Sequence, residues 1–285
     1  MRTFFWSIFL FLTIIYQANA DDQNDYKEAY LDGCTTALKS REFKESFVSF
    51  AEAYSAQIEQ IYQQYYEAVL KNKNFIDRLC DDSFEIVRKD PKLLKRLGLE
   101  GANPKQPSRA ALDMNMQLVN SYMFGGLTRI NGEDLKPYFS FTKSLFEVAD
   151  PLICRMLLIG DFQTDALSMS NFLIEAQNKI SFPINDNYLN LVQRSVLAEL
   201  DGSIPKTDID ENFASKFEQK FGDYMFKYSA SFPNAERIAL MMTGQIQGNN
   251  EEYCDWGKLY FGAFETMPGA DGDRARELYF HQSMQ

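Results

Sequence analysis

The sequence contains one histidine, two tryptophans and four cysteines among its 285 residues. A Ser-His-Asp or Cys-His site would need the single imidazole, His281, to be held firmly against a nucleophile. The usual zinc sites combine several histidines or closely spaced cysteines, and this sequence has neither. It also lacks the Gly-x-Gly-x-x-Gly and Gly-Lys-Ser/Thr loops that bind phosphate. We therefore predict no cofactor and no metal, and we favour a binding protein over an enzyme.

The charge is strongly asymmetric, with 29 Lys and Arg side chains against 40 Asp and Glu and a net charge of −11. Such a chain repels nucleic-acid phosphates, and no clustered basic face is present in the sequence to reverse that repulsion. We therefore predict no nucleic-acid partner. The same charge attracts a basic protein over a distance and speeds their encounter.

The first twenty residues have the layout of a cleavable export signal. Arg2 precedes an uncharged apolar run from Phe4 to Tyr16, and small residues flank Asn19 at positions 18 and 20. An uncleaved anchor is the alternative, but this run reaches only about 20 Å as a helix, short of the roughly 30 Å apolar core of a bilayer. We predict cleavage after Ala20, export to the periplasm or the extracellular space, and no integral membrane segment in the remaining chain.

The four cysteines are widely spaced, which in an exported chain favours structural disulfides. Three pairings are possible among Cys34, Cys80, Cys154 and Cys254. We favour Cys34 with Cys80 and Cys154 with Cys254, because each pair then joins helices that could lie side by side. Four buried free thiols are the alternative, since export alone does not force oxidation.

Apolar residues recur at spacings of three and four through most of the chain, which is typical of helices with one buried face. The clearest run extends from Phe43 to Val69 and predicts one helix of about thirty residues that ends near Asn72. Asn74 is predicted to cap the next helix. Asn131 and Gly132 predict a turn that could close a small hairpin.

Proline and glycine breakers then separate segments of helical length, which run over residues 165–179, 188–200, 211–228 and 234–247. No run of alternating β-branched residues is present. The fold prediction is all-α: an irregular, disulfide-stapled bundle of at least eight helices, as one compact body or as two packed halves.

The glycines and prolines between Gly98 and Pro107 are the best candidate boundary between two such halves. The predicted organisation is a signal peptide over 1–20, an N-terminal helical hairpin over 21–100 and a helical subdomain over 101–285. One continuous domain over 21–285 is the alternative.

Aromatic and methionine side chains are the best candidates for a binding surface, because they are common in interfaces and apolar pockets. The candidates are Tyr62, Tyr65, Tyr66, Met123 and Phe124, with a later group at Tyr224, Met225, Phe226 and Tyr228. We expect an exported protein that binds another protein, basic by charge complementarity, as an inhibitor or a toxin-neutralising protein.

Two other functions are open. A cell-envelope glycan hydrolase would need two carboxylates converging in a cleft, and Glu45, followed by Ser46, is a weak candidate for one of them. A carrier of an apolar small molecule would need an enclosed apolar cavity between helices.

Overall fold

The structure is a computed structural model. It describes residues 27–28, 31–32, 34–35, 39, 55–89, 121–159, 166–206, 211–232 and 234–282. Within these residues ten helices have both ends described and no strand is present, so the all-α prediction is confirmed. The helices are α1 Ala56–Lys71, α2 Lys73–Lys89, α3 Lys136–Val148, α4 Pro151–Ile159, α5 Ala166–Lys179, α6 Phe182–Asp201, α7 Glu211–Ser229, α8 Ala235–Met242, α9 Asn250–Thr266 and α10 Gly269–Gln282.

The chain divides into two compact units. Unit 1 comprises Met1–Met123 and Glu199–Asp201, and unit 2 comprises Phe124–Ala198 and Gly202–Gln285. The predicted boundary at residues 100 and 101 lies outside the described residues and stays a prediction. Residues 1–20, which carry the predicted export signal, also lie outside them. None of the described helices has the length and apolar character required to cross a bilayer.

Local signals set most helix ends. Proline occupies the first turn of α3 and of α6, where its missing N–H costs no hydrogen bond. Asp150 precedes α4 and accepts a hydrogen bond from the backbone N–H of Leu152 at 2.9 Å. Gly202 ends α6 with a φ of 63°, a left-handed conformation that costs glycine little. At the start of α9, Asn249 and Glu252 form a reciprocal capping box.

Two local predictions were wrong. The cap of α2 is Asn72, whose Oδ1 accepts from the Phe75 backbone N–H at 3.2 Å, whereas Asn74 is exposed inside the helix. Residues 128–135 contain the turn predicted at Asn131 and Gly132, but they form no hairpin. The turn at Gly132 packs against the backbone of Asp273 on α10. A Cβ built on Gly132 would lie 2.0 Å from the Asp273 carbonyl oxygen, so only glycine fits this contact.

The helix predicted from Phe43 ends where it was expected, because α1 stops at Lys71. Its predicted length of about thirty residues is wrong, because α1 begins at Ala56, after the non-helical Ser55, and has 16 residues.

Within unit 1, α1 packs on α2, and Cys34 is bonded to Cys80 of α2. Buried Tyr122 donates a hydrogen bond from its phenol to Asp82. Arg78 lies over the Tyr122 ring and contacts Glu199 at 3.2 Å. Burial, followed by the bond to Asp82, raises the pKa of Tyr122 far above its ordinary value, so the phenol stays protonated and serves as a structural donor.

Within unit 2, α9 is the central helix and packs against α3, α4, α7, α8 and α10. The second disulfide joins Cys154 of α4 to Cys254 of α9, so both bonds have the pairing that the sequence favoured. Aromatic rings fill much of the core, and Phe139 stacks on Phe264 with ring centroids 4.9 Å apart. Gly257 lets the Phe146 ring lie against the α9 backbone, because a Cβ there would be 2.3 Å from the ring.

Arg276 of α10 is fully buried and organises the end of α9. Its guanidinium donates to the carbonyl oxygens of Phe264 at 2.6 Å, Met267 at 3.2 Å and Gly132 at 2.6 Å. Asp273 balances its charge at 2.7 Å. One side chain thereby donates to three backbone carbonyls, of which that of Gly132 also accepts from the Leu135 backbone N–H at 3.3 Å.

Candidate functional site

A solvent-open groove of about 490 Å³ lies in unit 2 between α3, α6 and the end of α9. It is lined by Lys136, Pro137, Ser140, Lys143, Asn187, Glu265 and Thr266. The four α3 residues share one helix face because they are spaced by one, three and three positions. Asn187 comes from the first half of α6, and the remaining two residues end α9.

Charged side chains in and beside the groove form two clusters. At one end, the ammonium of Lys136 lies 2.7 Å from Glu133. At the other, Lys143 lies between two carboxylates, 3.3 Å from Glu265 and 3.8 Å from Glu147. Burial alone would lower the pKa of Lys143, but Glu265 and then Glu147 outweigh burial and raise it. Lys143 is therefore charged, and three carboxylates face two ammonium groups.

Several polar atoms in the lining still have capacity to accept hydrogen bonds. Lys143 contacts Glu265 through Oε2, so Oε1 of that carboxylate can accept from a ligand. The side chains of Ser140 and Asn187 have no hydrogen-bond partner among the described residues. These acceptors come from three different helices.

Two tyrosines of α7 form an edge beside the groove. The Tyr224 phenol donates to the hydroxyl of Thr266 at 3.1 Å, and its ring stacks on that of Tyr228 with centroids 6.2 Å apart. Burial raises the pKa of Tyr228; Lys143 lowers it and Glu265 raises it further. Its phenol is therefore neutral at physiological pH and adds no negative charge to the groove.

A second surface feature is Phe226, also on α7, which is 81% exposed. The other large exposed hydrophobic side chains in the described part of the chain are 37% to 53% exposed. Met225 points the other way, into a core cluster with Ile238 and Leu259. Small residues lie four positions to either side of it: Gly222 on α7 and Ala230 just after the end of the helix.

The sequence-predicted tyrosines Tyr62, Tyr65 and Tyr66 lie on α1. The surroundings of their side chains lie outside what the structure describes, and so does Glu45. Met123 is half-buried. Phe124 is half-buried as well, and its ring lies 6.5 Å from that of Phe280. These assignments stay predictions. The groove was not anticipated from sequence, whereas Phe226 belongs to a segment that the sequence singled out.

The groove has the chemistry of a binding site. Its lining contains one carboxylate, Glu265, where a glycoside hydrolase needs two converging ones. It is open to solvent and its lining includes charged side chains, unlike the enclosed apolar cavity expected of a carrier of an apolar small molecule. No cluster of three or more His, Cys, Asp or Glu side chains suited to a metal occurs in the residues that the structure describes.

No protein-family model, curated protein or solved structure matches this chain.

Proposed function

We propose that this is an exported protein that acts by binding a basic partner protein. The observation that carries the proposal is the 81% exposure of Phe226 on a helix whose opposite face is packed into the core. Removing a phenylalanine side chain from water stabilises a complex by about 1.5 to 3 kcal/mol. Aromatic side chains are also enriched at the centres of protein interfaces.

The location of Phe226 favours a protein partner over a small ligand. Its ring projects from a convex helix surface beside Gly222 and Ala230, and a partner with a concave apolar pocket could enclose it. A small molecule would instead need a cavity on this protein to bury most of its own surface.

The charge and the disulfides support the remaining parts of the proposal. A chain of net charge −11 steers a basic protein toward itself and repels other acidic proteins. Two disulfides and the signal-like first twenty residues fit an oxidising compartment, either the periplasm or the extracellular space. Inhibition or toxin neutralisation is the role we propose for such binding, because a fast encounter favours capture of a basic effector.

Site-specific photo-crosslinking in the producing cell tests the proposal. A benzophenone amino acid replaces Phe226 in one variant and the exposed Lys206, which follows α6, in the control. We expect a crosslinked basic protein from position 226 that is missing from position 206. The same products from both positions would contradict the proposal.

Affinity for the identified partner provides the quantitative measurement. An interface anchor contributes about 2 kcal/mol or more, so Phe226→Ala should weaken binding by about thirtyfold. Leu152→Ala is the matched control, because Leu152 is another exposed apolar side chain in unit 2. Equal effects of the two substitutions would show that Phe226 is not the anchor.

A further inference from the structure

We infer that the groove between α3, α6 and the end of α9 binds an arginine side chain of the partner. This inference rests on the proposed function, because it assigns a receptor site for the basic character of that partner. It concerns a surface built from other residues than Phe226, so the two can fail separately.

The charges around the groove favour a cation. Lys136 is neutralised by Glu133 at 2.7 Å, which leaves Lys143 as the one ammonium group between Glu147 and Glu265. Glu133 also lies 3.8 Å from Arg276, whose charge Asp273 balances at 2.7 Å, so the groove and its rim have one more carboxylate than they have cations. A cation from outside can balance it, whereas an anion would have to displace a carboxylate from a lysine.

The hydrogen-bond acceptors of the groove favour a guanidinium group. Glu265 Oε1, the Ser140 hydroxyl and the Asn187 amide oxygen offer acceptors from α9, α3 and α6 around one space. A guanidinium group has five N–H donors in a fixed plane and can use acceptors on several sides. An ammonium group concentrates its three donors at a single point, whereas the planar guanidinium spreads its donors toward acceptors that lie apart on three helices.

The volume and the walls of the groove fit an arginine side chain. A volume of about 490 Å³ accommodates an arginine side chain together with the peptide groups on either side of it. The ring of Pro137 provides an apolar wall for the methylene stem. Partial burial strengthens the ion pair, since Glu265 is only 25% exposed.

The experiment uses the oxidised protein from Asp21 onward and three small probes. The probes are N-acetyl-arginine amide, its uncharged analogue N-acetyl-citrulline amide and Nα-acetyl-lysine amide. Binding is followed by NMR through the side-chain amide of Asn187 and the methyl group of Thr266. We expect saturable shifts with the arginine probe, at least fivefold weaker binding of the lysine probe and no saturation with citrulline.

Three variants assign the site. Glu265→Gln should weaken the arginine probe about tenfold, because it replaces a charge-assisted bond with a neutral one. Glu251→Gln removes the same charge at an exposed position in the first turn of α9 and should leave affinity unchanged. Lys143→Met removes the internal competitor for Glu265 and should strengthen binding at least threefold.

Asn187→Ala tests the same site in case Glu265→Gln does not fold. Asn187 is exposed and its side chain makes no internal hydrogen bond in the described structure, so this substitution should leave the fold intact. It should weaken the probe about threefold. Equal binding of arginine and citrulline, or unchanged affinity in both Glu265→Gln and Asn187→Ala, would overturn the inference. Loss of crosslinking at position 226 would refute the proposed function without changing these probe titrations.

Discussion

Replacement of Arg276 by methionine tests how the end of α9 is held in place. Arg276→Met keeps an unbranched stem of similar length and removes every donor. Three carbonyl groups, those of Gly132, Phe264 and Met267, would then lose a hydrogen bond inside the protein. The Gly132 carbonyl would keep its bond from the Leu135 backbone N–H. A buried acceptor left without any partner costs about 1 to 3 kcal/mol, and such costs overlap when neighbouring groups relax together.

We expect Arg276→Met to lower the free energy of unfolding by about 3 to 5 kcal/mol, because breaking a buried charged network usually costs this much. Arg274→Met is the control, since Arg274 lies two positions earlier on α10, is exposed and pairs with Glu277 at 2.9 Å. Surface pairs of this kind contribute about 1 kcal/mol or less.

Urea unfolding of the oxidised protein, followed by circular dichroism and by Trp256 fluorescence, measures both variants. The slope of the transition should stay the same if only the native state is affected. Equal midpoints for Arg276→Met and Arg274→Met would refute the reasoning, because they would mean that the buried guanidinium contributes no more than an exposed one.

Two further predictions concern backbone contact and pH. Gly126→Ala should destabilise the protein by about 1 to 3 kcal/mol, because the added Cβ would lie 1.7 Å from the Ser195 carbonyl oxygen. Gly222→Ala should stabilise α7 by about 0.5 to 1 kcal/mol, because no atom lies within 4 Å of the added Cβ. Urea midpoints of the two variants that move in the same direction would contradict this. The hydrogen bond from Arg237 lowers the pKa of Glu252 below its ordinary value, so the stability it provides is present above that value and is lost as the pH falls through the folded pKa. The difference in Tm between the wild type and Glu252→Gln should therefore narrow below about pH 4.3, and a constant difference would count against the pairing.

Most of the helical layout could be predicted because its signals are local. Gly202 ends α6 within two residues of the predicted end through its own backbone preference. The predicted start at residue 188 was wrong, because Pro183 lies in the first turn of α6, which begins at Phe182. The disulfide pairing followed from the expectation that each pair of cysteines joins helices that lie side by side. The outward direction of Phe226 could also be predicted from spacing: Phe217, Phe221 and Met225 follow one another at intervals of four on the packed face of α7, and Phe226 falls outside that stripe.

The site itself depends on tertiary structure. Asn72 and Asn74 are equally good caps by residue type, and only the actual start of α2 decides between them. The groove joins α3 to residues more than forty positions away on α6 and more than a hundred away on α9, and no spacing rule relates those segments. Arg276 gives no local sign of burial, because its acceptors are backbone carbonyls whose positions come from the packing of other elements.

The disulfide pattern also determines how the molecule responds to proteolysis. Both bonds close loops that do not overlap, over residues 34–80 and 154–254. A single backbone cut inside either loop leaves the two fragments covalently attached. A cut between Cys80 and Cys154 has no bond across it and releases two pieces, each with its own closed ring. Non-reducing electrophoresis after limited digestion would therefore report where the chain was cut.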